Sequence, residues 1–364
     1  MISMNGFLRE PQELRDQELS AVRRVIESGW YILGNEVEAF EQEWAEKIGA
    51  EQAVGVASGM DAIEIGLRAL DVGRGDEVIT TSMTAFATVL AIIRAGAIPV
   101  LADIDPNTGN LSLESAARCV SKATRAVLLV HLYGRIGDMN GWQAFCNDRG
   151  LLLLEDCAQA HLAKWQGRSA GTFGSFGAFS FYPTKNLGAI GDAGLVTSAN
   201  ADIADAVRRL RNYGQSDRYH HTELGMNSRL DELQAAILRV RLRFLEDFTE
   251  RRRAIAEEYW TQIGNPKVEL LTAPQQSENH VHHLFVLRCQ DRDELAEHLK
   301  SRGIASLIHY PVPVHLQKPC RELRRDPSGL EAAERHARWC LSIPCHPQLS
   351  PSEVESIIST VNDF

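Results

Sequence analysis

Apolar residues recur along this chain at two periods, one helical and one of short unbroken runs. From Pro11 to Ser28 the spacing predicts an amphipathic helix with Leu14, Leu19, Val22, Val25 and Ile26 on one face and Gly29 as its stop. Trp30-Tyr31-Ile32-Leu33 follows outside any clear helix, an apolar cluster suited to anchoring the N-terminal segment or to lining a site or subunit contact. A second helix is expected from Glu36 to Ile48. After it the pattern alternates. Apolar runs at 77–80, 98–103, 126–133 and 151–154 are separated by helical stretches at 85–95, 113–119 and 139–147. Such strands, apolar on both sides and spaced by helices, imply a mostly parallel sheet covered on both faces.

A further apolar run from Ala178 is stopped by Pro183, and the Gly191-Asp-Ala-Gly194 turn leads into another strand. From Arg229 the positions of Leu230, Leu233, Ile237, Val240, Phe244 and Phe248 predict a long helix, kinked toward Trp260, that bridges to a second domain. There a strand is expected at 282–288, a helix at 293–302, another ending near Cys340, and a last one opening on Ser350-Pro-Ser-Glu, a capping sequence. The reading is therefore a large α/β domain over residues 1–245, including the N-terminal segment, and a smaller α+β domain over residues 246–364.

Composition narrows the classes. The 364 residues are 44% apolar and 24% charged, as in ordinary globular chains. A formal net charge of −10 argues against nucleic acid or an anionic membrane surface as a partner. No uncharged apolar run is long enough to span a bilayer, and Arg9, Glu10 and Pro11 stand where a signal peptide would be apolar. Seven cysteines without a CxxC pair fit reduced thiols in a cytoplasmic protein.

The chemistry gathers around Lys185, the single cation in Gly177–Gly188. Alone it reads equally as a turn lysine at the surface, but desolvation would make its amine a nucleophile and proton carrier. Upstream, Ser58-Gly59-Met60 ends a short strand and opens a helix, whose free N–H groups and dipole favour an anion, although an ordinary strand-to-helix turn has the same look. Asp156 and Gln159 follow the run 151–154, beyond the carboxyl end of a strand where ligands bind in open α/β sheets. An acid for a pyridine nitrogen, a polar group for a ring hydroxyl, a helix N-terminus with Ser180 for a phosphate and a lysine for an aldehyde are the four handles of pyridoxal 5′-phosphate.

Three blocks carry a family resemblance: Glu155-Asp-Cys-Ala-Gln-Ala160, Phe179-Ser-Phe-Tyr-Pro-Thr-Lys-Asn-Leu-Gly188 and Leu224-Gly-Met-Asn-Ser-Arg-Leu-Asp-Glu-Leu-Gln-Ala-Ala236. They resemble the signature segments of the DegT/DnrJ/EryC1/StrS sugar aminotransferases, and the likeness extends to Gly29-Trp-Tyr-Ile-Leu-Gly34 and Leu341-Ser-Ile-Pro344. The resemblance implies the fold type I architecture of pyridoxal-phosphate enzymes, which aminate keto sugars attached to nucleoside diphosphates. By it, Lys185 would bind the cofactor's aldehyde, Asp156 its ring nitrogen and Gln159 its ring hydroxyl. Ser180 and the backbone of Gly59 and Met60 would hold the phosphate. Asn227 would reach the phosphate in the neighbouring subunit, which makes the protein a homodimer. Two departures stand out: Met60 replaces the usual threonine, and Ala85 occupies the column of the aromatic that stacks on the ring, leaving Phe86 to take over.

Within the family, Gly191–Gly194, His131-Leu-Tyr-Gly134 with Asp138-Met139, and Leu307-Ile-His-Tyr-Pro-Val-Pro-Val-His315 resemble the subgroup acting at C-3 of dTDP-linked 3-keto-6-deoxyhexoses, with L-glutamate as amino donor. The alternative is amination at C-4 of a dTDP- or UDP-linked 4-keto sugar. His309, Tyr310 and His315 would then face the substrate, with Tyr31, Arg218 and Tyr219 as diphosphate or nucleotide contacts. No metal is expected, since the histidines lack Cys or carboxylate partners at ligand spacing. Dehydratases of the same fold carry histidine at the lysine position. A short-chain oxidoreductase is disfavoured because Tyr182 and Lys185 are three apart, not four, and no GxGxxG follows the first strand.

Overall fold

The computed structural model describes residues 1–364. Helix α1, Gln12–Ser28, ends where Gly29 turns left-handed (φ 65°) and its N–H returns to the Ile26 carbonyl. The buried face is Leu14, Ala21 and Val25, packed on a later helix; Leu19 and Ile26 point outward, contrary to the apolar stripe expected there. Helix α2, Asn35–Ile48, buries Val37, Phe40, Trp44 and Ile48 at helical spacing and closes on Gly49 (φ 72°).

Seven strands form the central sheet: β1 Gln52–Val56, β2 Glu77–Thr81, β3 Ile98–Ala102, β4 Thr124–Val130, β5 Leu152–Asp156, β6 Phe176–Ser180 and β7 Gly194–Ser198. Their order is β1-β7-β6-β5-β4-β2-β3; β7 is antiparallel to both neighbours and every other pair is parallel. Helices α3 Gly59–Ala69 and α4 Phe86–Arg94 follow β1 and β2, then α5 Leu113–Cys119, α6 Met139–Asn147 and α7 Ala201–Leu210. Each strand divides its side chains between two cores. Along β4, Val127 and Leu129 join the α2, α5 and α6 side, whereas Ala126 and Leu128 join the α3, α4 and α7 side. Coverage of both faces accounts for the unbroken apolar runs in the sequence.

Strand β6 stops at Ser180, before the expected Pro183. Its partner β7 begins at Gly194, and past that point the chain folds back, Phe181 N–H to Ala193 and Ala189 N–H to Phe181. Lys185 therefore rides a turn, its N–H on the Tyr182 carbonyl at 2.8 Å. The long helix predicted from Arg229 is two: α8 Glu232–Leu242 and α9 Leu245–Gln262, with Arg243 and Phe244 bonded three residues back between them.

Beyond α9, strands β8 Val268–Leu270, β9 Phe285–Cys289 and β10 Cys340–Ile343 make an antiparallel sheet with α10 Arg292–Ser301, α11 Glu331–Trp339 and α12 Pro351–Asn362 around it. Tyr259, Phe285, Leu287, Leu341 and Ile357 centre its separate core. The Ser350/Glu353 capping box forms as the sequence predicts. The N-terminus joins this lobe through Ile2, which bonds Gly303 and Ala305. The strand expected from His282 starts only at Phe285, because His282 takes a left-handed backbone (φ 45°) that breaks the extended run. All seven cysteines are buried and unpaired.

Burial pushes eight imidazoles below their ordinary range: His161 and His282 to about 3, His309, His336 and His346 to about 4, and His280, His283 and His315 in the same direction. The folded state keeps them neutral, so the unfolded chain binds more protons once pH falls below roughly 6.5. Glu18, Glu64 and Asp156, shifted upward by burial, act in the opposite sense but are fewer. Urea midpoints should therefore be level between pH 7 and 8 and fall steadily between pH 6.5 and 4; a midpoint that held or rose over the lower window would contradict the buried neutral histidines.

Candidate active site

The carboxyl ends of β5 and β6 and the start of α3 meet at one edge of the sheet. Glu155 and Asp156, adjacent on β5, point to opposite faces. Asp156 is 5% exposed, and its oxygens accept from the Thr88 hydroxyl at 2.8 Å and the Ala158 N–H at 3.1 Å. Burial pushes its carboxyl up; those two donors and the Lys185 ammonium pull the other way. Thr88 is itself paired with Thr84 at 2.9 Å, so the first turn of α4 fixes the acid's orientation.

Lys185 faces the same space. Desolvation brings its ammonium down to about 8, with the negative charge of Asp156 opposing the shift. Asn186, the next residue, bonds the Val281 carbonyl at 2.9 Å and the His283 ring at 3.2 Å, tying the lysine turn to the C-terminal lobe.

Ser58 caps α3, its Oγ taken by the Asp61 N–H at 3.1 Å. The N–H groups of Gly59 and Met60 have no acceptor within the chain. A Cβ on Gly59 would stand 2.5 Å from that of Ser180, so only glycine lets the helix start lie against the end of β6. The Ser180 hydroxyl accepts the Tyr182 N–H at 3.3 Å and keeps its own proton to donate. Unpaired donors at one end, with a buried carboxylate and a softened lysine at the other, fit the charge pattern of pyridoxal 5′-phosphate.

Gln159 is 6% exposed; its Oε1 accepts the Tyr133 N–H at 2.5 Å and its Nε2 donates to the Tyr310 phenol at 3.3 Å. Burial, with Asp156 nearby, pushes that phenol up to about 12. His309 bonds the Ser342 hydroxyl at 2.9 Å and is lowered to about 4 by burial, the Lys185 charge adding to it. His309 and Tyr310 thus reach the lysine from the C-terminal lobe.

Other expected residues lie elsewhere in the chain. His315 is buried against Glu334 of α11 at 3.1 Å. Tyr31 is 50% exposed, and Tyr219, 78% exposed under the Arg218 guanidinium, caps a hairpin between Gln215–Asp217 and His220–His221. Asn227 is exposed, but its neighbour Ser228 donates to Asp61 at 2.7 Å and accepts the Ala57 N–H at 3.0 Å, which holds this segment beside the start of α3. Phe86 opens α4 and is 37% exposed, with Ala85 as its cap.

Sequence reasoning gave no individual role to Glu155, Thr88 or His131. Glu155 is fully buried and accepts from Gly171, Phe173 and Gly174 N–H groups at 2.9, 2.7 and 2.9 Å and from His131 Nε2 at 2.9 Å. Although Cys157 brings a third ligand-type atom within 4.8 Å, these bonds leave Glu155 little capacity for a metal. Two acids in succession at the end of an apolar strand were the signal: one must face each core.

The DegT/DnrJ/EryC1/StrS aminotransferase family model matches residues 12–362. A dTDP-3-amino-3,4,6-trideoxy-alpha-D-glucose transaminase of Streptomyces venezuelae is 44% identical, across 97% of this chain and 93% of its own. A dTDP-3-amino-3,6-dideoxy-alpha-D-galactopyranose transaminase of Aneurinibacillus thermoaerophilus is 43% identical, across 94% of each. The crystal structure of S. venezuelae DesV in complex with a ketimine intermediate superposes with a TM-score of 0.95 at 42% identity, covering 100% of this chain and 98% of that one. With a family match over nearly its whole length and that fold, the chain belongs to the DegT/DnrJ/EryC1/StrS aminotransferases, enzymes that depend on pyridoxal phosphate.

Proposed function

We propose that this enzyme transfers an amino group, from L-glutamate, to C-3 of a dTDP-linked 3-keto-6-deoxyhexose. The observation that carries the reading is the near full-length identity, 44% and 43%, to two proteins named as transaminases of dTDP-3-amino sugars. Its chemistry rests on the buried Asp156 beside the depressed amine of Lys185.

In this reading Lys185 holds the cofactor, Asp156 its ring nitrogen, Gln159 its ring hydroxyl, and Gly59, Met60 and Ser180 its phosphate. When bound, the group supplies an electron sink for the carbon that loses a proton. The chain's own residues do the rest. Lys185 Nζ takes and returns a proton, for which an amine near neutrality is suited. Asp156 supplies a fixed negative charge, held by Thr88 and Ala158. His309 and Tyr310, uncharged at neutral pH, offer hydrogen bonds to sugar hydroxyls. We assign Tyr31, Arg218 and Tyr219 to the nucleotide-sugar side as well, and Asn227 to the phosphate of the neighbouring subunit in a homodimer. The exposed Trp30, Tyr31, Tyr213 and Leu224 favour a covering partner. A division near residue 245, at the α8–α9 break, and a cytoplasmic location complete the reading, the latter supported by the seven free thiols.

Lys185→Ala should lose turnover while keeping the fold. With the parent enzyme, NMR of the product from a 3-keto substrate should place nitrogen on C-3; amination only of a 4-keto substrate would establish the alternative regiochemistry.

Cofactor capture by the apoenzyme requires the neutral amine, so its rate should rise with pH and level off above about 8. A stopped-flow rate that is flat from pH 6.5 to 9.5 would remove the depressed lysine from the account.

Mixing Lys185→Ala with Asn227→Ala creates, in each mixed dimer, one site with both residues intact. Activity at limiting cofactor should then exceed that of either variant alone. No gain after verified subunit exchange would return Asn227 to its own chain.

A further inference from the structure

On the α6 side of the sheet, beyond the end of β4, lies a second cavity of about 280 Å³. Its walls include Asp105, Asn110, His131, Arg135, Asp138 and Trp165. His131 and the segment from Arg135 to Met139 form one side of it. A water needs on the order of 10–15 Å³ of such space, so this volume suits a molecule of several heavy atoms.

Arg135 is 9% exposed, and burial lowers its guanidinium below the ordinary range. Its N–H groups reach the backbone carbonyls of Thr272 and, at 3.5 Å, Ala273; they make no ion pair with a carboxylate. Asp105 offsets the charge only from a distance. A buried cation without a counter-ion is costly. Two further polar atoms are buried without partners: Trp165 Nε1, a donor, and Asn110 Oδ1, an acceptor. Asn110 is fixed through its other atom, Nδ2, to the Arg135 carbonyl at 3.0 Å.

The remaining charges restrict the ligand. Asp105 Oδ1 accepts the N–H groups of Asn107 and Thr108, and Asp138 Oδ1 accepts that of Gly141, which leaves each a second oxygen. His131 spends Nε2 on Glu155. A simple anion entering here would answer Arg135 but meet Asp105 and Asp138. A simple cation would leave Arg135 and the Trp165 N–H unanswered. A dipolar molecule satisfies both sets.

We propose that this cavity binds a small free α-amino acid, its carboxylate on Arg135 and the Trp165 N–H, its ammonium on Asn110 Oδ1 and the free oxygen of Asp105. The site is distinct from the one that holds Lys185. Glu155, bonded to His131 of the cavity wall, and Asp156, whose charge acts on Lys185, point to opposite faces of β5.

Titration calorimetry of the holoenzyme with glycine, L-serine, L-aspartate and L-glutamate, and with acetate and methylammonium as half-ligands, tests this. Parent, Trp165→Phe and Arg135→Gln proteins are compared, with thermal melts to verify folding. At least one amino acid should bind saturably to the parent and about tenfold or more weaker to both variants, since each loses a hydrogen bond to a charged group. Turnover should be unchanged in Trp165→Phe, and neither half-ligand should match the amino acid. If Arg135→Gln fails to fold, Trp165→Phe alone decides. Isotherms identical in parent and Trp165→Phe for all four amino acids, or acetate binding as tightly as the best of them, would overturn the assignment.

Discussion

A carboxylate with no exposed surface organises the catalytic edge of this protein. Glu155 receives three backbone N–H groups from Gly171, Phe173 and Gly174 and one imidazole, so both its oxygens are saturated. Buried charge is tolerated when it is fully hydrogen-bonded, and here the bonds draw a glycine-rich loop under β6. That loop leaves no slack: a Cβ on Gly177 would lie 2.4 Å from Gly171. The same strand end that anchors Glu155 on one face presents Asp156 on the other. The position of Asp156 thus depends on a neighbour whose own oxygens are fully occupied.

The electrostatics around Lys185 are simpler than the crowd of histidines suggests. His161, His283 and His309 are all held neutral, by burial first and by the lysine's own charge second. His161 sits within Trp44, Phe179 and Phe181, with neither ring nitrogen bonded. Neutral rings add dipoles and bulk but no field strong enough to rival a charge. Desolvation and the Asp156 carboxylate are left to balance each other at the amine. Burial wins, and the amine falls to about 8 while the acid nearby is pushed up.

Much of the scaffold was legible because it is local. Apolar runs gave the parallel strands, Gly29 the first helix stop, and Ser350 with Glu353 the last helix start. What escaped depended on contacts far apart in sequence. Thr88 reaches Asp156 across 68 residues, and Glu155 finds its donors only when the 171–174 loop folds beneath it. The short strands β8 and β10, three and four residues long, are too brief for a period to show, and helix α7 went unassigned although Ala204, Val207 and Leu210 recur on one buried face. Leu19 and Ile26 show the converse error: periodicity identifies an apolar stripe, but the neighbour decides how much of it is covered.

Met60 stands where the family resemblance leads one to expect a threonine. Its side chain packs against the core on the α3 side and offers no hydroxyl. Ser58 Oγ already accepts the Asp61 N–H as the helix cap. A lost hydroxyl bond to a phosphate is worth about 1.5–3 kcal/mol, more than the 0.3–1 kcal/mol usual for a helix dipole alone. In the proposed cofactor placement the free N–H groups of Gly59 and Met60 act with Ser180, which lies against Gly59 closely enough to exclude a Cβ there. Asp61, the negative charge nearest those donors, is drawn to Ser228, which also takes the Ala57 N–H. One pair of bonds thereby moves an unfavourable charge aside and fixes the segment that carries Asn227. With no threonine at position 60, the cofactor phosphate would depend more on that segment than it does in relatives that have one.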